Sequence, residues 1–126
     1  MNDRQRISSG SPFEPTIGFS RAVRIGSRVL VAGTAPIWPD GSCPDDVYVH
    51  AKRCLEIVIE ALHQAGMDAE HVVRTRTFLV DRADAAEVGR AHGEVFAEIR
   101  PASTMVVVNE LLDPRWRVEI EAEADA

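Results

Sequence analysis

The sequence predicts an α+β fold, or an α/β sandwich, in which one β-sheet is covered by two helices. Strand-like and helix-like stretches interleave in the order β-β-α-β-α-β-β. The two helix-like stretches carry apolar residues at spacings of three and four, and the strand-like stretches contain Val-rich apolar runs. A length of 126 residues fits one domain, and 45% apolar with 27% charged residues is typical of a globular chain.

Residues 1–16 are predicted to form a flexible arm, which leaves residues 17–126 as the folded domain. The arm contains Gly10, Pro12 and Pro15 together with several serines. No secretory signal is visible at its start, and no apolar run reaches the ~18 residues of a membrane span. We therefore expect a cytoplasmic protein with no membrane partner.

Two strands joined by a hairpin turn are predicted over residues 20–34. Val23 and Ile25 alternate with a polar residue, and residues 29–31 form a continuous apolar run. The Gly26-Ser27 dipeptide between them is typical of a tight turn.

The first helix is predicted over residues 47–65. Its apolar face recurs at alternating spacings of four and three residues. The members of that face are Ala51, Leu55, Val58, Leu62 and Ala65. Either Asp45 or Asp46 can cap its start, and Gly66 can end it.

The remaining predicted elements are one strand, a second helix and two closing strands. A strand is predicted over residues 72–80, and a helix from Asp84 to about Ile99, ended by Arg100-Pro101. Residues 103–108 and 117–124 are predicted to be the closing strands. Helices on one face leave the other face of the sheet open, and consecutive valines place apolar side chains on both faces. We therefore expect an oligomer in which the second face is covered.

Charge and cysteine content exclude several classes of protein. The chain has 20 acidic and 14 basic residues, a net charge of -6, which argues against a nucleic-acid partner. Cys43 and Cys54 cannot form a disulfide framework, and the four histidines show no metal-ligand spacing. We therefore predict no metal site.

Several ordered segments resemble the YjgF-type reactive-intermediate deaminase (Rid) family. Residues 28–36 (RVLVAGTAP) are similar to the family's second strand and the Gly/Pro turn after it. Residues 100–108 (RPASTMVVV) and 118–122 (VEIEA) are similar to its last two strands, and residues 73–81 to its central strand. The resemblance covers roughly residues 17–124.

This resemblance implies a homotrimer of chorismate-mutase-like subunits with ligand clefts between neighbours. Family members with the full site hydrolyse enamine or imine intermediates: water attacks the imine carbon, ammonia leaves and a 2-oxo acid forms. No metal or organic cofactor is needed. An arginine in the cleft holds the substrate carboxylate, and a glutamate near the C-terminus orients or activates water.

When the family's site residues are carried over by position, only some of them are retained in this sequence. The glutamate falls on Glu119, and the cleft tyrosine falls on Phe19, which keeps the ring and loses the hydroxyl. The carboxylate-binding arginine falls on Ser103, which we call the anchor position, and the small residue two positions later falls on Met105. One neutral hydroxyl in place of a guanidinium costs about 2–3 kcal/mol of substrate binding.

The rest of the implied substrate-binding set comes from the second strand and the second helix. Ala32 and Gly33 lie in the segment similar to the second strand and its turn, and a tyrosine of the second helix falls on His92, with a neighbouring asparagine on Gly89. His92 also fits an ordinary packing role among apolar residues.

Another arginine could replace the one missing at the anchor position. The candidates are Arg21, Arg24, Arg76, Arg115 and Arg117. Arg74 and Arg76 share one face of the central strand, where we favour a salt bridge to an acid of a neighbouring subunit over an anion site.

The sequence thus predicts a cofactor-independent enamine or imine deaminase acting on a non-standard substrate, with Glu119 as its catalytic residue. The alternative is a non-catalytic ligand-binding or regulatory trimer that uses the same cleft, which the missing arginine favours. A third reading is RNA cleavage, against which the acidic charge argues. No Ser-His-Asp pattern surrounds Ser103, so nucleophilic catalysis is not expected.

Overall fold

Six strands and two main helices make up the computed structural model, which describes residues 4–126. The strands are β1 (Arg4–Ile7), β2 (Ala22–Ile25), β3 (Arg28–Thr34), β4 (Val72–Leu79), β5 (Ala102–Val107) and β6 (Val118–Asp125). The helices are α1 (Val47–Gln64) and α2 (Ala85–Phe96). The sheet has the spatial order β1-β2-β3-β6-β4-β5, and only the β4–β5 pairing is parallel. The predicted order β-β-α-β-α-β-β is confirmed from β2 onward.

The structure differs from the predicted flexible arm at β1. This strand pairs antiparallel with β2, which places Arg4 opposite Ile25 and Ile7 opposite Ala22. Ile7 is the one buried residue of its four. A strand of four residues with one apolar position facing the core shows no alternation in the sequence. Its order comes instead from backbone pairing with β2. Residues 1–3 of the predicted arm lie outside the described residues.

The ends of α1 are set by local chemistry that the sequence indicates. The Asp46 carboxylate accepts hydrogen bonds from the backbone N–H groups of Tyr48 (3.0 Å) and Val49 (3.2 Å). Gly66 follows the helix with a φ of +82°, the left-handed conformation that favours glycine. The apolar face of α1 is therefore held in register over the sheet.

Alternation along β6 divides the sheet into two unlike faces. Val118, Ile120, Ala122 and Ala124 are buried against the helices. The intervening residues of β6 point to the other face, away from α1 and α2. We call this second face the open face.

The open face carries a network of ion pairs within the chain. Arg76 contacts Glu121 at 3.1 Å and Glu123 at 3.4 Å. Glu123 also pairs with Arg28 at 2.9 Å and with Arg74 at 3.5 Å. The expectation that Arg74 and Arg76 pair with another subunit's acid is therefore corrected, because β6 places two glutamates directly beside them.

A bulge in β3 interrupts its pairing with β6. Val31 lies opposite Ala122, and Thr34 lies opposite Ile120, so Ala32 and Gly33 occupy a stretch where β6 has a single residue. Bulges often lie beside functional sites, because they redirect side chains at the edge of a regular ladder. This bulge positions the site described next.

Candidate functional site

The carboxylate of Glu119 lies over Gly33 on the open face. A Cβ atom built at Gly33 would stand 3.0 Å from Oε2 of Glu119 and 3.4 Å from its Cδ. Glu119 is opposite Phe78 of β4, so the bulge and β4 flank it on either side. The space that Gly33 leaves by having no side chain is thus filled by the Glu119 carboxylate.

Glu119 has the electrostatic surroundings of a proton acceptor. It is half-buried, and this burial raises the pKa of its carboxyl above the ordinary value. The neighbouring Glu121 raises the pKa further, whereas the positive charge of Arg21 lowers it. A carboxylate whose pKa approaches the working pH is better suited to accept a proton from water than an exposed one.

The side chains of Arg21 and Glu119 both lie against Gly33. One terminal nitrogen, Nη2, donates a hydrogen bond to the Gly33 carbonyl oxygen at 2.5 Å. Its Nε atom is buried and has no hydrogen-bond partner among residues 4–126. Burial lowers the pKa of this guanidinium, against the attraction of Glu14 and Glu119. The sequence named Arg21 as one of five replacement candidates, and nothing in the sequence set it apart.

The other four candidates for a replacement arginine are committed elsewhere. Arg24 donates to the carbonyl oxygens of Gly26 and Ala65, and Arg76 pairs with the glutamates of β6. Arg115 pairs with Asp113, and Arg117 pairs with Asp45 and Asp84. Arg21 is the candidate that lies in the electrostatic field of Glu119.

The anchor position belongs to a second group, on the helix-covered side of the sheet. Thr75 Oγ1 lies 2.9 Å from Ser103 Oγ and 2.8 Å from His92 Nε2. Thr75 is fully buried, and the His92 ring packs against Phe96 with a centroid separation of 4.7 Å. The sequence identified Ser103 and His92 but missed Thr75, which joins them.

The hydrogen-bonded group Ser103–Thr75–His92 is uncharged when the His92 imidazole is neutral. Burial lowers the pKa of His92, which favours the neutral imidazole. Thr75 has one hydroxyl proton, so it donates either to Ser103 or to His92 and accepts from the other. The tautomer of His92 therefore determines whether Ser103 has a free proton to donate or only lone pairs to offer.

Met105 and Phe19, the other two predicted lining residues, are both partly exposed. Met105 lies on the edge strand β5 opposite Thr77 and is 37% exposed. Phe19 follows a π-helical turn at Glu14–Gly18, and its N–H donates to the Glu14 carbonyl oxygen at 2.9 Å. Its ring is 38% exposed. Both side chains are thus accessible to a ligand or to another copy of the chain.

The Glu119 group and the Ser103 group do not meet within one copy. Glu119 faces the open side opposite Phe78, whereas Thr75, three positions earlier on β4, faces α2. Ser103 lies beyond β4 on the edge strand, so two strand spacings of about 4.8 Å also separate it from β6. A small ligand that contacts both groups must therefore bind between two copies.

A cavity of about 620 Å³ lies between the Ser8–Phe13 segment and one flank of α1. Arg21 lines it together with Ala35, Ile37 and Arg53, while Glu119, Ser103 and His92 do not. The cavity thus borders Arg21, one of the replacement candidates, and none of the predicted site residues.

His50 is a structural residue in this chain. Its Nε2 donates to the Pro44 carbonyl oxygen at 2.5 Å, and its Nδ1 accepts the N–H of Arg117 at 3.4 Å. With both nitrogens used, it cannot serve as a base for Cys43, whose sulfur lies 3.5 Å from Nε2. Among residues 4–126, no three acidic, histidine or cysteine side chains gather as a metal site, and no helix is long and apolar enough to cross a membrane.

Comparisons with known proteins identify the family of this chain and support its fold. The sequence model of the Endoribonuclease L-PSP family matches residues 10–126. An uncharacterised protein of Streptomyces coelicolor is 41% identical over 121 residues, covering 95% of this chain and 90% of that protein. A crystal structure of a Mycobacterium tuberculosis member of the YjgF/YER057c/UK114 family is 43% identical, with a TM-score of 0.91 over 98% of this chain and 100% of that one.

One more distant relative is named for an activity. The 2-iminobutanoate/2-iminopropanoate deaminase of Salmonella typhimurium is 33% identical over 111 residues, covering 84% of this chain and 85% of that protein. The chain belongs to the Endoribonuclease L-PSP family, the family of the YjgF, RutC and Rid proteins. The resemblance inferred from the ordered sequence segments is thereby confirmed, as is the fold.

Proposed function

We propose that this protein is a cofactor-independent enamine or imine deaminase whose cleft is completed by a second copy in a homotrimer. The observation that carries the proposal is the half-buried Glu119 carboxylate, which lies in the space left by Gly33 with a raised pKa. A relative named as an imine deaminase supports the reaction class.

The proposed reaction needs only water and the side chains of the cleft. Glu119 holds a water molecule against the imine carbon and takes up one of its protons as the C–O bond forms. Glu119 passes that proton to the imine nitrogen, which gives a neutral carbinolamine. The hydroxyl proton of the carbinolamine then moves through Glu119 to the amino nitrogen as the C–N bond breaks, so that ammonia leaves and a carbonyl group remains. An enamine enters the same route after it tautomerises to the imine.

A second copy supplies the other half of the cleft in this proposal. Ser103, Met105 and His92 of one subunit face Glu119, Ala32 and Gly33 of the next, and Phe19 walls the pocket. Support comes from β5, whose six residues are all exposed in a single copy, including Met105, Val106 and Val107. An edge strand with that many exposed apolar side chains is suited to an interface between copies.

The substrate is proposed to be non-standard, because Ser103 offers a neutral hydroxyl at the anchor position. The hydrogen-bonded Ser103–Thr75–His92 chain can bind a hydroxyl, carbonyl or amide group at that end of the cleft. A carboxylate held only there would lack a charged partner.

Imine hydrolysis with matched variants tests the proposal. An amino-acid oxidase would generate imines from several amino acids in the presence of semicarbazide as the competing trap. Hydrolysis would be followed as a lower rate of semicarbazone formation, because trapping and hydrolysis both release ammonia. We expect wild-type protein to hydrolyse at least one imine and Glu119→Gln to lose about 100-fold or more of that rate. Glu121→Gln is the control, because Glu121 lies on the same face of the same strand and is paired with Arg76.

Two results would contradict the deaminase proposal. Equal rates for wild type and Glu119→Gln would remove Glu119 from the chemistry. Binding of 2-oxobutanoate without turnover of any imine would favour the alternative, a ligand-binding trimer, which the absence of arginine at Ser103 also supports.

A further inference from the structure

We propose that Arg21 holds the anionic end of the ligand, from the Glu119 side of the cleft, in place of the arginine that the anchor position lacks. This inference rests on the proposed function for the position of the reacting carbon. It assigns to the site a small molecule with a carboxylate or a similar planar oxyanion at the Glu119 end, so that the non-standard feature of the substrate is the uncharged group that Ser103 receives.

The hydrogen-bond inventory of Arg21 leaves donors without acceptors. A guanidinium has five N–H donors, and Nη2 uses one on the Gly33 carbonyl oxygen. The Nε atom is shielded from solvent and has no acceptor among residues 4–126. Because the Nε–H is shielded from solvent, an incoming anion would meet the Nη donors, which have one acceptor among residues 4–126, the Gly33 carbonyl oxygen.

The charged groups around Arg21 support the same assignment. No carboxylate of residues 4–126 lies within ion-pair distance, 4.0 Å, of the Arg21 guanidinium, although both Glu14 and Glu119 attract it. Glu14 is committed to Ser9, accepting from its N–H at 2.9 Å and from its hydroxyl at 2.5 Å. A partly buried cation without a carboxylate partner is a favourable site for an anionic ligand.

Position relative to Glu119 makes Arg21 useful to the reaction. Both side chains meet at Gly33: Arg21 bonds its carbonyl oxygen, and the Glu119 carboxylate covers its Cα side. An anion on Arg21 would therefore hold its neighbouring carbon close to the water that Glu119 orients. The hydrogen bond to Gly33 also fixes the guanidinium in advance, which reduces the entropy lost on binding.

Space for a ligand exists against this side chain. Arg21 lines the cavity of about 620 Å³ described above, a volume typical of small-molecule sites, and its Nη2 reaches Gly33 beside Glu119, which the cavity does not border. Arg53 lines the same cavity, but its Nε donates to the Ile37 carbonyl oxygen at 2.6 Å and its Nη1 contacts Glu56 at 3.5 Å. Arg53 therefore serves as a control, because it is an arginine of the same cavity whose charge has a carboxylate partner, Glu56, and whose Nε has a backbone acceptor.

Calorimetric binding of a charged and a neutral probe tests the inference. The probes are 2-oxobutanoate and 2-oxobutanamide, which differ in the carboxylate alone. We expect wild-type protein to bind the carboxylate about tenfold or more tightly than the amide, and Arg21→Gln to abolish that preference. Arg21→Lys should retain part of it, and Arg53→Gln should retain it within about twofold.

The inference is overturned if wild-type protein binds both probes equally or binds neither, or if folded Arg21→Gln keeps the preference. The comparison of probes on wild-type protein remains decisive even where a variant does not fold. Failure of the proposed function looks different: Arg21-dependent binding with no imine turnover refutes the deaminase and keeps the anchor. The converse result is turnover that depends on Glu119 and stays unchanged in Arg21→Gln while the two probes bind equally. That result refutes the role of Arg21 and keeps the deaminase.

Discussion

Oε2 of Glu119 lies 3.0 Å from the point where a side chain at Gly33 would begin. The β3 bulge creates this contact, because Ala32 and Gly33 together lie opposite one residue of β6 and bring Gly33 beside the next open-face side chain. The carboxylate is thereby half-buried on the open face, next to the peptide that Arg21 bonds. The proposed chemistry depends on this placement.

Gly33→Ala should displace the Glu119 carboxylate and reduce imine hydrolysis while leaving the fold intact. The added methyl group meets only the flexible end of Glu119, so we expect a loss of stability below about 1 kcal/mol and a loss of rate of about tenfold or more. Gly93→Ala is the control: its Cβ enters open space in α2, where it should stabilise the helix by roughly 0.5–1 kcal/mol. Unchanged kinetics in Gly33→Ala would mean that the contact has no role.

The pH profile of hydrolysis should report the pKa of Glu119. Because burial raises this pKa above 4.5 and the ionised form accepts the proton, activity should fall as pH drops through the raised value. Arg21→Gln removes the positive charge that lowers the pKa, so its acid limb should move to higher pH. The dependence of kcat/KM on pH measures the limb, and a carbon-13 NMR titration of the carboxyl checks it. A limb that Arg21→Gln moves to lower pH is incompatible with this electrostatic arrangement.

Glu119→Gln should raise the thermal stability of the protein at pH 7.5. A carboxyl whose pKa is raised in the folded state favours folding most when protonated, and this contribution is lost as pH rises through the folded pKa. Glutamine has no charge to desolvate, so its advantage should shrink as pH falls toward 4. Thermal unfolding at the two pH values measures this. Glu121→Gln, which loses an ion pair with Arg76, should give no such gain, and a lower Tm for Glu119→Gln at pH 7.5 would contradict the account.

Thr75→Val should cost about 1–2 kcal/mol of unfolding free energy, because it leaves Ser103 and His92 without their shared partner. Thr77→Val is a matched control on the same strand and face. The Thr77 hydroxyl is buried and unpaired among residues 4–126, so its removal should be neutral or stabilising. Urea unfolding of both variants gives the comparison. Equal costs for the two would show that the hydrogen-bonded chain contributes nothing.

Sequence patterns predicted most of the fold because its elements depend on local alternation. The apolar face of α1, the Asp46 cap and the alternation in β6 all lie within single segments. Strand β1 was missed because four residues with one buried position leave no periodic pattern.

The site was predictable only where the family resemblance reached it. Glu119, Gly33, Ser103 and His92 came from that resemblance by position. Arg21 could not be chosen among five arginines, since its unpaired Nε depends on a bulge and a loop distant in sequence. Thr75 was missed because its link to Ser103 depends on the register of two parallel strands, which no local pattern encodes.

The central claim is that one cleft uses Glu119 of one copy and the Ser103 group of another. Subunit complementation tests it most directly: Glu119→Gln and Ser103→Trp, each inactive alone, are unfolded together and refolded into mixed trimers. Native mass spectrometry confirms the mixing, and imine hydrolysis is then measured. The account predicts that activity returns in the mixed trimers, because some clefts then combine two intact halves. Mixed trimers that stay as inactive as their parents would show that both groups must come from the same copy.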